Sequence, residues 1–533
     1  MIVAAALALL AGAAVLALPR LVDTPRVQAL IASHASQALG RPVKFGGVSV
    51  SVFPLPAVDL RNLEVAEDPA FGAEPFLKLD RARLALRLRP LLTGRVEFGD
   101  LTLERPLISV VQGVDGRWNV ASLGASSEPR APRGGGRGAG AAGAGAMLGS
   151  RVKIEDALVT YVARGSGSAA RYRVEDLDLT LTPGGPLVLF EGSARLKPGD
   201  LALTLKEGSV GANGARSLLE APLRGRLSVE GKDIHDLVAA TAGPSPALAG
   251  GLKGTLALAG TVGAPKASGD VELRNVKLTH TAPACPPPRE RTLSFPAIKL
   301  NAAWEAARFA GRPLSTELGS GTITTNLTAT IDRGVRVQLG DLAIRALPLE
   351  RVLVDFLCQS YAVTGPLDLT GTLLMNLAAP LPMMSGHGQF RIGPGKVVGV
   401  QVLSLLGGVA RLGGAISSLL SGDLPAGLFA SPLDFESITG TYRITDGVVT
   451  TRDLLYASRA MKVAVAGDYG LATGRMNLDL ALNHGRGEVK ASVTGTAAAP
   501  SIRVQPASVL RDLDRGRIEQ GLGDVLKRFR ERK

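Results

Sequence analysis

A chain of 533 residues is long enough for several conventional domains or for one extended one. Hydrophobic residues make up 46% of it but aromatic residues only 4%, so Leu, Val, Ala, Gly and Thr must build the interior, unlike that of a packed multi-domain enzyme. Sixty Lys and Arg against 47 Asp and Glu give a formal net charge of +13, which suits anionic headgroups or a solvated basic surface. With no basic stripe interleaved with aromatics, nucleic acid is not an expected partner.

Residues Ile2 to Leu18 are apolar or Gly, and no charge appears before Arg20. At about 1.5 Å per residue a helix over this stretch reaches roughly 27 Å, enough to cross a hydrocarbon core. We read residues 1–19 as a transmembrane anchor, with a cleaved signal peptide as the alternative. Thr24 and Pro25 then form a helix entry, an acceptor at the N-cap followed by proline at the first helical position. Val27, Leu30, Ile31, Ala35 and Ala38 recur at helical spacing up to about Leu39, and Gly40 with Pro42 stops the helix.

From Val43 the apolar period becomes two. Val48, Val50 and Val52 alternate with Gly47, Ser49 and Ser51, which predicts a strand. The same alternation returns in Leu84, Leu86 and Leu88, then in Val96 and Phe98. There the parity changes, because Gly99 and Asp100 separate Phe98 from Leu101 and Leu103, which predicts a turn or bulge. Further strands carry Leu177, Leu179 and Leu181; Leu201, Leu203 and Leu205; and Leu256 and Leu258. These fifteen Leu, Val and Phe positions are the candidate lining of an apolar face.

Low complexity interrupts the strands between residues 126 and 150, which read as a flexible linker or loop. ARGSGSAA near Gly165 reads as a hairpin tip, and APACPPPRE around Cys285 as a turn-rich insertion. Three weak repeats appear. LRNLEV from Leu60 and LRNVKL from Leu273 place Arg-Asn between apolar positions, as a repeated bend in a strand would. FRIGPGKV from Phe390 and YRITDGVV from Tyr442 put Gly395 and Gly447 at matching hairpin turns. GTVGAPKA from Gly260 resembles GTAAAPSI from Gly495.

Helices are expected near Ile234 to Ala240 after Asp233, and after Pro348, where Leu349, Val352, Leu353, Phe356 and Leu357 form a stripe. The Gly-rich stretch from about Val400 to Leu428 reads as two short helices. From Val509 an amphipathic segment ending KRFRERK fits a bilayer surface, a partner or the chain's own sheet.

The sequence carries no recognisable catalytic constellation. His34, His235, His280, His387 and His484 stand singly, without the spacing of a metal site, and no phosphate-binding loop, serine elbow or dinucleotide fingerprint occurs. Neither an enzyme nor a cofactor is expected. Cys285 and Cys358 are either one disulfide or two thiols, and spacing does not decide. Strands with one apolar and one polar face must bury the apolar one, and few helices are available to do it. Periodicity alone allows either a long sheet curled into a trough or an array of β-sandwiches.

Specific residues go further. LPRLVD after the anchor, the Gly40-Arg41-Pro42 turn, Phe71-Gly72, Pro75-Phe76-Leu77, the Arg-rich strand before Pro90-Leu91-Leu92, and Asp115-Gly116-Arg117-Trp118-Asn119 resemble the N-terminal region of the AsmA family of bacterial envelope proteins, over about residues 5 to 123. FRIGPGKVVGVQVLSLL, SPLDFESITGTYRITDGVVTTRDLLY and VTGTAAAPSIRV resemble the family's C-terminal part, within residues 386 to 505.

The resemblance implies a mainly β protein: a transmembrane helix and a capped helix, then an elongated, curled antiparallel sheet forming a groove. Its regions are the anchor at 1–19, an AsmA-like, chorein-like region at 20–125, the linker at 126–150, a groove body at 151–385, the C-terminal AsmA-like region at 386–505 and a basic helix at 506–533. It further implies a single-pass inner-membrane protein, mostly periplasmic, whose groove shields phospholipid acyl chains on their way to the outer membrane, as in the related TamB-like bridge proteins. Its expected partners are phospholipid, the inner membrane through residues 1–19, and outer-membrane or envelope proteins. It brings no catalytic or metal-binding residues. The rival reading is a non-enzymatic scaffold for outer-membrane protein assembly, recruiting partner strands to exposed sheet edges.

Overall fold

The computed structural model describes residues 39–51, 56–87, 98–123, 150–164, 170–211, 218–244, 246–281, 285, 287–331, 334–358, 362–398, 433–459, 461–483, 488–496 and 499–504, with helical residues 29, 32–33, 35–37. The anchor, the Thr24–Pro25 helix entry, Leu88, Val96, the Gly-rich linker, the 400–428 stretch and the C-terminal segment from Val509 lie outside the described residues. Among the described residues no helix is long and apolar enough to cross a membrane. The fold is mainly β, and the chain divides into two compact units. Unit 1 is Met1–Gly243, Gly250–Val271 and Ala303–Ala306; unit 2 is Pro244–Ala249, Glu272–Ala302 and Ala307–Lys533.

In unit 1 the short helix before Gly40 runs into β1 (Val43–Lys44), β2 (Gly47–Ser51), β3 (Ala57–Val65), β4 (Leu77–Leu86), β5 (Phe98–Glu104) and β6 (Leu107–Gln112). After the linker come β7 (Val152–Ala163), β8 (Ala170–Gly184), β9 (Leu187–Lys197), β10 (Leu201–Gly211), β11 (Leu223–Gly231) and β12 (Ala247–Gly260). Strands β7 to β12 pair antiparallel with their chain neighbours, as do β2, β3, β4 and β5. The expected hairpin between β7 and β8 is present, with Ala163 opposite Ala170.

The sheet is mixed, and this corrects the antiparallel expectation. Both β5 and β6 pair with β7 in parallel, Leu103 opposite Ile154 and Val110 opposite Tyr161. The two behave as halves of one strand, broken where Arg105 takes φ 50 beside Pro106. A parallel pair needs a long return connection, and the low-complexity stretch between Leu123 and Ser150 supplies the length. What reads as an interruption therefore joins two neighbouring strands of one sheet.

β12, β13 (Pro265–Thr281) and β14 (Glu290–Glu305) contribute residues to both units. Unit 2 continues with β15 (Arg308–Leu318), β16 (Gly321–Ile331), β17 (Val335–Pro348), β18 (Ala362–Val363), β19 (Pro366–Asn376), β20 (Ser385–Ile392), β21 (Gly395–Val398) and β22 (Leu433–Phe435). It ends in β23 (Ser437–Thr445), β24 (Val448–Ala457), β25 (Lys462–Gly470), β26 (Arg475–Asn483), β27 (Glu488–Thr496) and β28 (Pro500–Val504). Its main ladder is antiparallel: β15, β16, β17, β19, β20, then β23 to β28 in order. β18, β21 and β22 form a separate small sheet.

Both expected helices are present. Asp233 Oδ1 accepts the His235 amide at 3.0 Å and opens His235–Ala242. The six-residue helix Arg351–Phe356 follows Leu349 and buries Phe356 against Leu293, Leu318 and Leu347. The two cysteines form a disulfide, Cα to Cα 5.9 Å, tying the insertion after β13 to the end of that helix. His280 adds a contact there, its Nε2 lying 2.8 Å from the Phe356 carbonyl oxygen.

Two of the three repeats have one structure each. Asn62 and Asn275 both sit at φ 50, so the Arg-Asn pairs are the repeated bend they resembled. Gly260 and Gly495 both have positive φ, and a Cβ on either would lie 2.5 or 2.6 Å from the carbonyl four residues on. Each opens a turn in which Thr261 or Thr496 exchanges hydrogen bonds with Ala264 or Ala499. The third repeat fails in one half. Gly447 is at a tight turn after Asp446, but Gly395 begins β21, which pairs with β18 and β22. Glycine is needed at 395 for close approach, since a Cβ there would come within 2.8 Å of the Phe435 ring.

Candidate functional site: an amphipathic sheet face

Directly opposed residues on neighbouring strands share a face, so the register alone builds the site. One row crosses ten strands of unit 1: Val48, Leu60, Ala82, Leu103, Ile154, Leu179, Gly192, Leu205, Leu227 and Leu256, each opposite the next. A parallel row joins Val50, Val58, Leu84, Leu101, Val152, Leu181 and Phe190. A third joins Val43, Val65, Leu77, Ile108, Val159, Val174, Leu196 and Leu201. The opposite face reads Ser49, Asp59, Arg83, Thr102, Lys153, Thr180 and Glu191. One side is hydrocarbon from edge to edge, and the other is polar.

Bulges keep the face in phase. A one-residue slip would send every following side chain to the wrong side. Asn62, Asp156, Asp176 and Glu207 each take φ between 50 and 55, and at Asp156, Asp176 and Glu207 the register shifts. Short polar side chains tolerate the left-handed conformation, which is why Asn and Asp dominate these positions. The predicted parity change after Phe98 is such a bulge: Phe98 opposes Leu86 and Leu101 opposes Leu84.

The structure describes twelve of the candidate residues together with their side chains. Leu84, Leu86, Leu101, Leu103, Leu177, Leu179, Leu181, Leu203, Leu205, Leu256 and Leu258 are all half-buried, and Leu201 is buried at 3% exposure. Half-burial is the informative state. A leucine row inside a closed core loses nearly all its exposure; these leucines keep some on each of five strands.

Unit 2 repeats the design, and none of its lining was picked out from sequence. Gly311, Leu327, Leu339, Leu373, Gly386, Ile444, Val449, Tyr469 and Met476 oppose one another across nine strands. A second row, Leu347, Leu367, Ile392, Ile438, Tyr456, Val463 and Leu482, is covered. Leu349 from the approach to the short helix, Val397 from β21 and Phe435 from β22 bury it, with Leu353 packed alongside. Tyr442 lies over two glycines: a Cβ at Gly371 or Gly388 would meet its hydroxyl at 2.7 or 2.8 Å. Burial raises the Tyr442 phenol above its ordinary pKa. The alternation of Leu478, Leu480 and Leu482 was the signal available for this half.

A buried polar node fastens the start of unit 1. Arg41 and Glu67 form an ion pair at 3.0 Å with each side chain 4% exposed. Arg41 also donates to the Asn119 carbonyl and, at 2.7 Å, to Ser122 Oγ, while its guanidinium lies 5.1 Å above the Phe76 ring. Asn119, fully buried, donates from Nδ2 to Glu67 at 2.7 Å and to the Ser109 carbonyl at 2.8 Å, and accepts the Val111 amide at 2.9 Å. Arg41, Phe76 and Asn119 come from three separate sequence motifs that converge here. Glu67 belongs to none of them, and nothing in its local spacing marks it.

Among the described residues no group of three or more His, Cys, Asp or Glu is placed to hold a metal ion. His235 lies 3.1 Å from Asp236 on the surface, and His387 lies 3.2 Å from Thr372. What the arrangement offers chemically is a broad apolar surface with hydrocarbon-like side chains and one polar back.

No curated protein and no solved structure matches the chain. The model of the AsmA family matches residues 1–183, from the apolar N-terminus through the linker to the end of β8, and so takes in both the buried Arg41–Glu67–Asn119 node and the first strands of the apolar face. That match makes the N-terminal third of this chain similar to the AsmA family.

Proposed function

We propose that the protein is a non-enzymatic carrier of phospholipid acyl chains, fixed to the bacterial inner membrane by residues 1–19, with its strands in the periplasm and its cargo bound for the outer membrane. One observation carries this reading: the unbroken apolar row from Val48 to Leu256, with half-buried leucines on one side of the sheet and a polar row on the other. Acyl chains laid along such a face leave water, and each buried methylene contributes about 0.8 kcal/mol. A face with no charged residue in it offers no preferred stopping point, which suits movement along the row. The headgroup needs no dedicated pocket, because it stays in solvent. The AsmA family match supports an envelope role for the same residues.

A face-specific crosslink tests the proposal. A photo-reactive amino acid at Leu205, on the apolar face, should capture phospholipid in cells, whereas the same group at the neighbouring Lys206, on the polar face, should not. Equal capture at both positions, or none at Leu205, contradicts it. A protein adduct at Leu205 in place of lipid would favour the scaffold reading.

A further inference from the structure

The turn between β19 and β20, residues Leu377 to Met384, reads LAAPLPMM and contains no charged residue. Sequence alone gives it no role, and its apolar side chains are not in a core. Leu377 is 43% exposed, Leu381 45% and Met383 53%, and Val448 from the next hairpin turn, 40% exposed, stands beside them. Gly447 joins the two turns, its amide donating to the Met384 carbonyl at 2.9 Å. Isolated exposed leucines are ordinary, but a cluster of large apolar side chains at one tip marks a contact surface.

The backbone of the tip identifies the partner. Leu377 donates its amide to the Val335 carbonyl, Ala378 to Asn376 Oδ1, Ala379 to the Asn376 carbonyl, Met383 to Ala379 and Met384 to Leu381. Pro380 and Pro382 have no amide hydrogen to donate. A partner strand would need free amides and carbonyls to pair with. Hydrocarbon makes the reverse demand, that polar backbone groups be satisfied within the protein. Five of the tip's six amides are bonded within the protein, which offers a partner strand little to pair with and suits hydrocarbon. Arg475 begins β26, Arg336 is the second residue of β17 and Arg443 lies two residues before the end of β23, where anionic headgroups would meet them.

We propose that residues Leu377–Met384, with Val448, insert into the surface of an anionic phospholipid bilayer. The tip also adjoins the open row of unit 2 through Leu373 on β19 and Val449 on β24. Insertion does not depend on acyl chains being carried along that row, so the two readings fail separately.

The test uses the full chain with an environment-sensitive fluorophore on Met383→Cys, and a control label on Lys462→Cys at the far end of the neighbouring hairpin. With vesicles of phosphatidylethanolamine and phosphatidylglycerol, the label at 383 should shift to the blue, brighten at least twofold and be quenched by brominated acyl chains. The label at 462 should not respond. Adding Leu381→Asp should remove most of the response while leaving the Trp fluorescence of the fold unchanged, and capture at Leu205 should persist. Equal responses at 383 and 462, or none at 383, would overturn the proposal. So would a response that appears only with added envelope protein and not with vesicles.

Discussion

At the scale of single residues, the most exacting position is Asn119. Its side chain makes three hydrogen bonds and is wholly buried, so Asn119→Ala leaves the Val111 amide, the Ser109 carbonyl and Glu67 short of partners. We expect a loss of about 3 kcal/mol, at the upper end for an unsatisfied buried group. Denaturant unfolding followed through Trp118, which stacks on Tyr161 at 5.6 Å, checks this. Asp453 gives a pH-dependent counterpart. Its carboxylate accepts the Thr441 amide and hydroxyl, each at 2.8 Å, and the amide bond holds its pKa below the usual 3.8. A lowered folded pKa stabilises the protein above the ordinary carboxylate range and stops doing so as pH falls through the lowered value. Asp453→Asn should therefore melt earlier than the parent at neutral pH, with the gap closing in strong acid. Asn119 was legible from its motif. Its partner Glu67 was not, because the two meet only when β3 and the turn after β6 fold together.

At the scale of elements, alternation in the sequence revealed strands but not how they pair. Leu177, Leu179 and Leu181 announce a strand; that Leu179 stands between Ile154 and Gly192 depends on bulges at Asp156 and Asp176. The repeated Arg-Asn bends were visible because an Asn between apolar positions is a local signal. The parallel pairing of β6 with β7 was not, because a Gly-rich connection carries no record of the direction in which it returns. Gly395 misled for a related reason, since glycine serves close approach as well as turns. The covered half of unit 2 makes its own prediction. The Cys285–Cys358 disulfide closes a loop of 73 residues around the short helix. Cys285→Ser with Cys358→Ser should cost unit 2 on the order of 2–5 kcal/mol. Hydrogen exchange should then rise first at Leu349 to Phe356 and stay unchanged at β3 and β4; a uniform rise would contradict the local role given to the bridge.

At the scale of the whole molecule, the two units share one construction: long strands, bulges that restore phase, an apolar face with its leucines half exposed, and a polar back. The low aromatic content fits this use, since Leu, Val and Ile make a flexible hydrocarbon surface while Tyr442 and Tyr456 serve as packing against glycine and the small sheet. The sequence disclosed that face in unit 1 and missed it in unit 2, where Gly311 and Gly386 interrupt the apolar row itself and Gly371 and Gly388 oppose each other in the row beside it. On the function proposed above, the face of unit 1 holds lipid. The most direct measurement is the phospholipid content of the purified full-length protein, by mass spectrometry, for the parent and for Leu179→Asp with Leu205→Asp. Phospholipid bound in simple proportion to the parent chain, and reduced at least fivefold in the folded variant, is the predicted result. Undiminished phospholipid on the variant, or a parent chain purified without any, would contradict it.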